Sequence, residues 1–269
     1  MNARMKVAAL AGAEEYKNFV ENFIRVNRAA GKYHLNLDMP VLIAVTGNGQ
    51  GNTTYLRLLA DVMKEEKILS FSGEEEVFEW RMLFSDREAV QRLVSRMKQA
   101  AGFYPYFSGV IGLDLQDLNR FEQLDKGLFE LIHQNQNRVL FCLQISEKQG
   151  KSFVEDLKEA MSSYAHVETL CLIAKEKDFC QFVRDEFRER GFYLGSGTGE
   201  FIPEFVEAAG KSGYRSLSSA INEVIWEKLS ANSENIIRPG DLLSYRQKRK
   251  TRPAGGRTQK TIGFGAHEQ

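Results

Sequence analysis

The chain has 269 residues, 43% of them hydrophobic, which is enough for one large or two small domains with a real core. Lysine plus arginine number 36 and aspartate plus glutamate 36, so the overall charge argues against a nucleic-acid binder or a membrane-surface protein. No segment approaches the roughly 20 apolar residues that span a bilayer, and the apolar start is too short for an export signal, with Glu14 and Glu15 following it at once. Cys142, Cys171 and Cys180 stand in apolar or helical surroundings. They point to buried free thiols, not disulfides or a metal site, and the expected setting is the cytoplasm.

In chain order, residues 12–30 place Tyr16, Phe19, Val20, Phe23 and Ile24 at helical spacing, with Gly31 as a stop. Val41 to Val45 is a continuous apolar run suited to a strand buried on both faces, and a helix follows from Thr53 to Glu66. "KILSF" (67–71) predicts a second strand, 86–101 a helix, "GVIGLDL" (109–115) a strand, 121–134 a helix and "RVLFCLQI" (138–145) a strand. A helix over 151–163 leads to the strand "VETLCLI" (167–173), after which strands are expected to stop. Helices over 176–190, 201–210 and 215–230 follow, with Pro239 starting a short final one.

This alternation implies an α/β fold, a parallel sheet covered on both faces, followed by a small helical domain. The expected organisation is an N-terminal helix region (1–35), an α/β core (36–174), a helical domain (175–246) and a flexible basic tail (247–269). The tail's charge could engage nucleic acid or an acidic surface, although a solvated terminus is the better reading.

"VTGNGQGNTT" (45–54), between strand and helix, carries the chemistry. Gly47, Gly49 and Gly51 allow backbone N–H groups to turn inward onto phosphate oxygens, leaving no room for Cβ atoms. The N-terminus of the following helix adds partial positive charge. Thr53 stands where a P-loop hydroxyl reaches magnesium. Asn52 occupies the place of the P-loop lysine, so an amide replaces a full charge. Either Thr46 takes the first glycine position or the loop is one residue short. Three glycines that merely make a tight turn are the plain alternative, and a dinucleotide fingerprint fits less well, since it needs glycine at Asn52 and Glu74 is the nearest ribose-binding acid.

"LIAVTGNGQGNTTYLRLLADVM", preceded by a helix and "LNLDMP", resembles the start of AAA+ ATPases of the CbxX/CfxQ type, the branch with the red-type rubisco activases and the sporulation and type VII secretion relatives. The resemblance covers roughly 10–245. It implies a P-loop core with a helical lid, and a nucleotide (ATP or ADP) held by Gly47, Asn48, Gly49, Gln50, Gly51, Asn52, Thr53, Thr54 and Arg215 of the lid. It further implies magnesium at Thr53 and Asp114, and γ-phosphate sensing at Gln144. The pattern breaks where hydrolysis is done. Leu115 occupies the place of the glutamate that orients water, with Asp117 two residues on, and Ser163 that of the arginine acting on a neighbour's ATP. A pore loop is expected between 70 and 90, where Phe78 and Trp80 are its candidates beside the ill-fitting Glu74–Glu76 run.

With each loss costing on the order of 2–4 kcal/mol of transition-state stabilisation, the combined site should be nearly inert. The expectation is a hydrolysis-deficient subunit among AAA+ protomers, in a homo- or hetero-oligomer that can act on a protein client, with no membrane contact. The alternatives are an active, divergent ATPase or chaperone rescued by Arg57 or Arg215, and a nucleic-acid-associated inactive module of clamp-loader type using the basic tail.

Overall fold

The structure is a computed structural model describing residues 2–47, 50–69, 76–82, 89–101, 107–118, 124, 126–209, 213–231 and 234–251. Five parallel strands form its centre: β1 (Val41–Thr46), β2 (Val77–Arg81), β3 (Gly109–Asp114), β4 (Val139–Ser146) and β5 (Val167–Cys171). Their order across the sheet is β2-β3-β4-β1-β5. β1, β3 and β4 are apolar along nearly their whole length because both faces are covered.

Strand parity sorts the core into two layers. Leu42, Ala44, Val110, Leu140 and Cys142 face α1 (Ala3–Ala8), α2 (Glu14–Lys32) and α3 (Asn52–Glu65). Ile43, Ile111, Leu113, Phe141 and Leu143 face α4 (Ala89–Ala100), α5 (Lys126–Asn135) and α6 (Gly150–Ser162). The chain then forms α7 (Glu176–Glu189), β6 (Tyr193–Leu194), α8 (Ile202–Ala209), α9 (Tyr214–Ala231), β7 (Ile236–Ile237) and α10 (Pro239–Thr251). Val183, Phe187, Phe205, Ile221 and Tyr245 centre a third apolar cluster among these helices.

Several elements differ from the sequence reading. "KILSF" does not begin a strand: Lys67 takes a left-handed φ of 55° and Ile68 N–H returns to Met63 O (2.9 Å), so these residues terminate α3. The second strand is "VFEWR" instead, and Ser70 and Phe71 lie outside the described residues. α1 was not foreseen; Asn2 Oδ1 caps it by accepting from Met5 N–H (2.9 Å). Strands do not stop after Ile173, since β6 and β7 pair in parallel, each too short to show a period. α10 runs to Thr251, taking in the first residues of the predicted tail, with Lys248 paired to Glu227; residues 252–269 lie outside the described residues. All three cysteines are free thiols, but Cys171 is exposed, because only one side of the edge strand β5 is packed at that point.

Among the described residues no helix is long and apolar enough to cross a membrane.

Candidate functional site

β1 delivers Thr46 and Gly47 to the carboxyl edge of the sheet, and α3 starts at Asn52. Gly51 joins them with a φ of 88°, a left-handed conformation that side chains resist, so glycine is needed there. Asn48 and Gly49 lie outside the described residues. The described part of the loop is occupied by its own side chain. A Cβ on Gly47 would collide with the Gln50 carboxamide, which lies over it. Gln50 Oε1 accepts from Ala174 N–H (2.8 Å), at the passage from β5 into α7.

Asn52 does not reach along the loop as a lysine would. Its Nδ2 donates to Thr46 Oγ1 (3.0 Å) and Gln144 Oε1 (3.4 Å), on the α3 side of the sheet. Gln144 is 4% exposed and donates onward from Nε2 to Glu79 Oε1 (3.1 Å). Glu79 Oε2 accepts from Thr53 Oγ1 (2.7 Å). The structure therefore links Thr46, Asn52, Gln144, Glu79 and Thr53 in one chain of hydrogen bonds. Gly112 of β3 makes the convergence possible: a Cβ there would stand 2.7 Å from Gln144 Nε2, 3.3 Å from Glu79 Cγ and 2.6 Å from Leu56 Cδ1.

Other expected residues are not brought into hydrogen-bonded contact with this chain. Asp114 Oδ1 accepts from Gln116 N–H (3.0 Å), closing its own turn. Asp117 is pinned by Arg81 through two bonds (2.6 and 2.8 Å), and the guanidinium holds its carboxyl below the usual range. Leu115 is 0% exposed and packs in the layer beneath α4–α6. Ser163 caps α6 and is exposed, just before β5 begins and so at the opposite edge of the sheet. Arg57, Thr54 and Arg215 are exposed, and no side-chain hydrogen bond or ion pair ties either arginine to the described residues.

Tyr214, the residue before Arg215, is the one set on the loop. Its Cδ2 would stand 3.9 Å from a Cβ on Gly51, its ring packs on Phe179 and Phe182 (centroids 5.1 and 4.9 Å), and its hydroxyl reaches Ala11 O (3.4 Å). Burial pushes its ionisation well above the ordinary range. Phe78 and Trp80 do not belong to a pore loop. Both are β2 residues of the core, with Phe78 edge-on to Phe107 at 5.6 Å. Glu74 lies outside the described residues, and Glu76 pairs with Lys64.

Beside Gln50 a cavity of about 540 Å³ opens between the sheet's carboxyl edge and α7–α9. Phe179, Val206 and Leu217 give it an apolar wall, and Glu147, Glu176 and Glu207 give it negative charge, while the fourth lining glutamate, Glu204, is paired with Arg246; no lysine or arginine is among its described lining residues. Such a wall opposes a triphosphate.

Glu79 and Tyr214 were missed by the sequence reading. Glu79 was findable: in "VFEWR" Phe78 and Trp80 share one face, which puts Glu79 on the other, facing α3. Tyr214 carries no comparable signal. In comparison with known proteins, no protein-family model matches the chain and no curated protein matches it either.

Proposed function

We propose that this chain is a P-loop protein of the AAA+ type that has lost hydrolysis and serves a structural or regulatory role in an AAA+ assembly. In this reading α7–α10 are the lid, the partners are AAA+ protomers in a homo- or hetero-oligomer, a protein client is engaged by the assembly, and the setting is cytoplasmic. The observation that carries the reading is Leu115: where the pattern needs a water-orienting carboxylate at the end of β3, the side chain is apolar and wholly buried.

Asn52 supports it independently. An amide committed to Thr46 and Gln144 supplies no charge to a phosphoryl group in transfer. ATP or ADP is then a weak structural ligand, admitted when the Gln50 side chain swings off Gly47. Losing one charge-assisted phosphate contact, worth about 1.5–3 kcal/mol, weakens binding about 10- to 100-fold. Magnesium has hard oxygen donors at Thr53 and Glu79, which suit it; Asp114, turned to Gln116, fits less well.

The test is phosphate release by the purified full chain with magnesium and ATP, alone and mixed with an intact AAA+ protomer. The expected result is no detectable turnover alone, with co-elution in the mixture on size exclusion. Turnover of about 1 s⁻¹ or faster by the isolated chain refutes the reading.

A further inference from the structure

We propose that the acidic, apolar-walled cavity beside Gln50 is the docking site of the chain's own C-terminal segment from Arg257 to Phe264. The inference does not rest on the AAA+ reading and holds with or without a nucleotide in the loop. Three observations carry it.

The first is complementarity of two kinds. The cavity, about 540 Å³, sets Phe179, Val206 and Leu217 against Glu147, Glu176 and Glu207, and none of these three glutamates forms an ion pair among the described residues. Lys148, Lys175 and Lys177 neighbour them in sequence but do not line the cavity. The segment "RTQKTIGF" offers both matching features: Arg257 and Lys260 as cations, then Ile262 and Phe264 as apolar side chains, with no acid among them. Carboxylates take guanidinium and ammonium groups, and the apolar wall takes the isoleucine and phenylalanine.

The second observation is the course of α10. Ile237 O, just before α10, accepts from Thr198 Oγ1 (3.0 Å), just before α8, and Tyr245 packs on Phe205 (centroids 5.1 Å apart). α10 therefore runs along α8 in the same direction, and its last residue, Thr251, stands about 9 Å of helix beyond Tyr245. That places the departing chain at the end of α8 that carries Val206 and Glu207 into the cavity. The six residues to Arg257 can span up to about 20 Å, more than the length of α8, roughly 12 Å. The third observation is that the contact is already begun: Arg246 of α10 is paired with Glu204, a lining residue.

Exposed ion pairs are individually weak and screened by salt, so the segment's affinity as a separate peptide is set in the millimolar range. Tethering raises its effective concentration to the same range or above, which is enough to keep it docked most of the time. Docked, it lies beside the Gln50 carboxamide that covers Gly47 and denies the cavity to any other cationic ligand.

The experiment is tryptic cleavage of the full chain at low ionic strength, followed by mass spectrometry at Arg257 and Lys260, with a synthetic peptide of residues 252–269 as the unprotected reference. Cleavage at both is expected to be about three- to tenfold slower in the protein than in the peptide, at any protein dilution. Glu147→Gln, Glu176→Gln and Glu207→Gln combined, or about 0.5 M salt, should return the rate to the peptide's under the same conditions. Glu155→Gln, Glu159→Gln and Glu189→Gln combined, outside the cavity, should leave the protection in place. Thermal unfolding checks that both triple variants are folded. Ile262→Ser with Phe264→Ser, which leaves residues 2–251 unchanged, should also abolish protection and carries the test should the cavity variant be unstable. Cleavage at the peptide's rate in wild type, or protection that survives the cavity variant, overturns the proposal. Protection lost on dilution also overturns it, by assigning the cavity to the segment of a second copy.

Discussion

Leu115→Glu, which would supply the carboxylate that the proposed AAA+ reading lacks, should damage the protein before it brings any turnover. Leu115 has no exposed surface, and its backbone is fixed by N–H donation to Gln144 O (2.9 Å) and by acceptance from Gln149 Nε2 (2.9 Å). The side chain cannot swing out without breaking that edge. Lost leucine packing costs about 2–3 kcal/mol, at the low end for truncation because the glutamate's methylenes fill part of the space. A carboxyl there must stay protonated. Holding it neutral at pH 7 against an ordinary value near 4.3 costs roughly 4 kcal/mol. The sum, about 6 kcal/mol, rivals the whole stability of a typical domain.

The sign of the pH effect identifies the cause. The introduced carboxyl has a folded-state pKa above its unfolded value, so its penalty is absent below about pH 4.3 and grows by about 1.4 kcal/mol per unit as pH rises. Urea unfolding followed by circular dichroism should therefore show a gap to wild type larger by about 2–3 kcal/mol at pH 7 than at pH 5. Leu115→Gln, which cannot ionise, should show no such difference. An equal gap at both pH values, or magnesium-dependent ATP turnover by Leu115→Glu, would refute the argument that this position belongs to the core.

Gly112→Ala should lower the urea midpoint by the equivalent of about 1–3 kcal/mol, because its Cβ would stand 2.6 Å from Leu56 Cδ1 and 2.7 Å from Gln144 Nε2. Native thiol labelling should modify Cys171 quickly and spare Cys142, whose thiol burial pushes up to about 12; all three should react after unfolding. The same shift makes stability fall above about pH 9 by up to about 1.4 kcal/mol per unit, since the unfolded thiol ionises while the folded one keeps its proton; Cys142→Ala should flatten that slope between pH 9 and 10. Lys228→Ala should cost about 2–4 kcal/mol in the same unfolding assay, because the buried ammonium is paired with Asp241 (3.1 Å), and Asp241→Asn added to it should cost less than the two singly.

The legible parts of the fold are those with a strong period or an unbroken apolar run. β1, β3 and β4 are read directly from "VLIAVT", "GVIGLD" and "VLFCLQIS", because burial on both faces leaves them almost wholly apolar, Gln144 and the terminal residues apart. β2 is hidden because Glu79 and Arg81 occupy alternate positions on its α3 side, and a charged alternate position in a short strand looks like a loop. "KILSF", apolar and brief, reads as a strand, yet Lys67 and Ile68 are spent on ending α3. In the site, the residue types at 46, 52 and 53 are legible from spacing along one strand–loop–helix unit, while Gln144 is singled out only by what the family resemblance implies. For their partner Glu79 the alternation in "VFEWR" gives the face, but no local pattern says that this strand lies beside Gly112.

The hydrogen-bond chain also bears on why several departures from the P-loop pattern stand together. Asn52 satisfies Thr46 and Gln144, Gln144 satisfies Glu79, and Glu79 satisfies Thr53, so each group's partner is the next group's support. Replacing Asn52 removes a partner from Thr46 and Gln144, the two buried members, at about 1–3 kcal/mol for each buried polar group left unpaired; the Thr53–Glu79 bond is exposed and contributes less. A lysine at Asn52 alone would strand Thr46 Oγ1 and Gln144 Oε1 without giving the β3 terminus a carboxylate. Stability is therefore lost at the first substitution, while in the proposed AAA+ reading a hydrolytic rate would require the β3 position and a neighbour's arginine as well. That asymmetry favours the present set of side chains, in which the described part of the loop is covered by Gln50 and tied to β2 and β4 by its own polar groups.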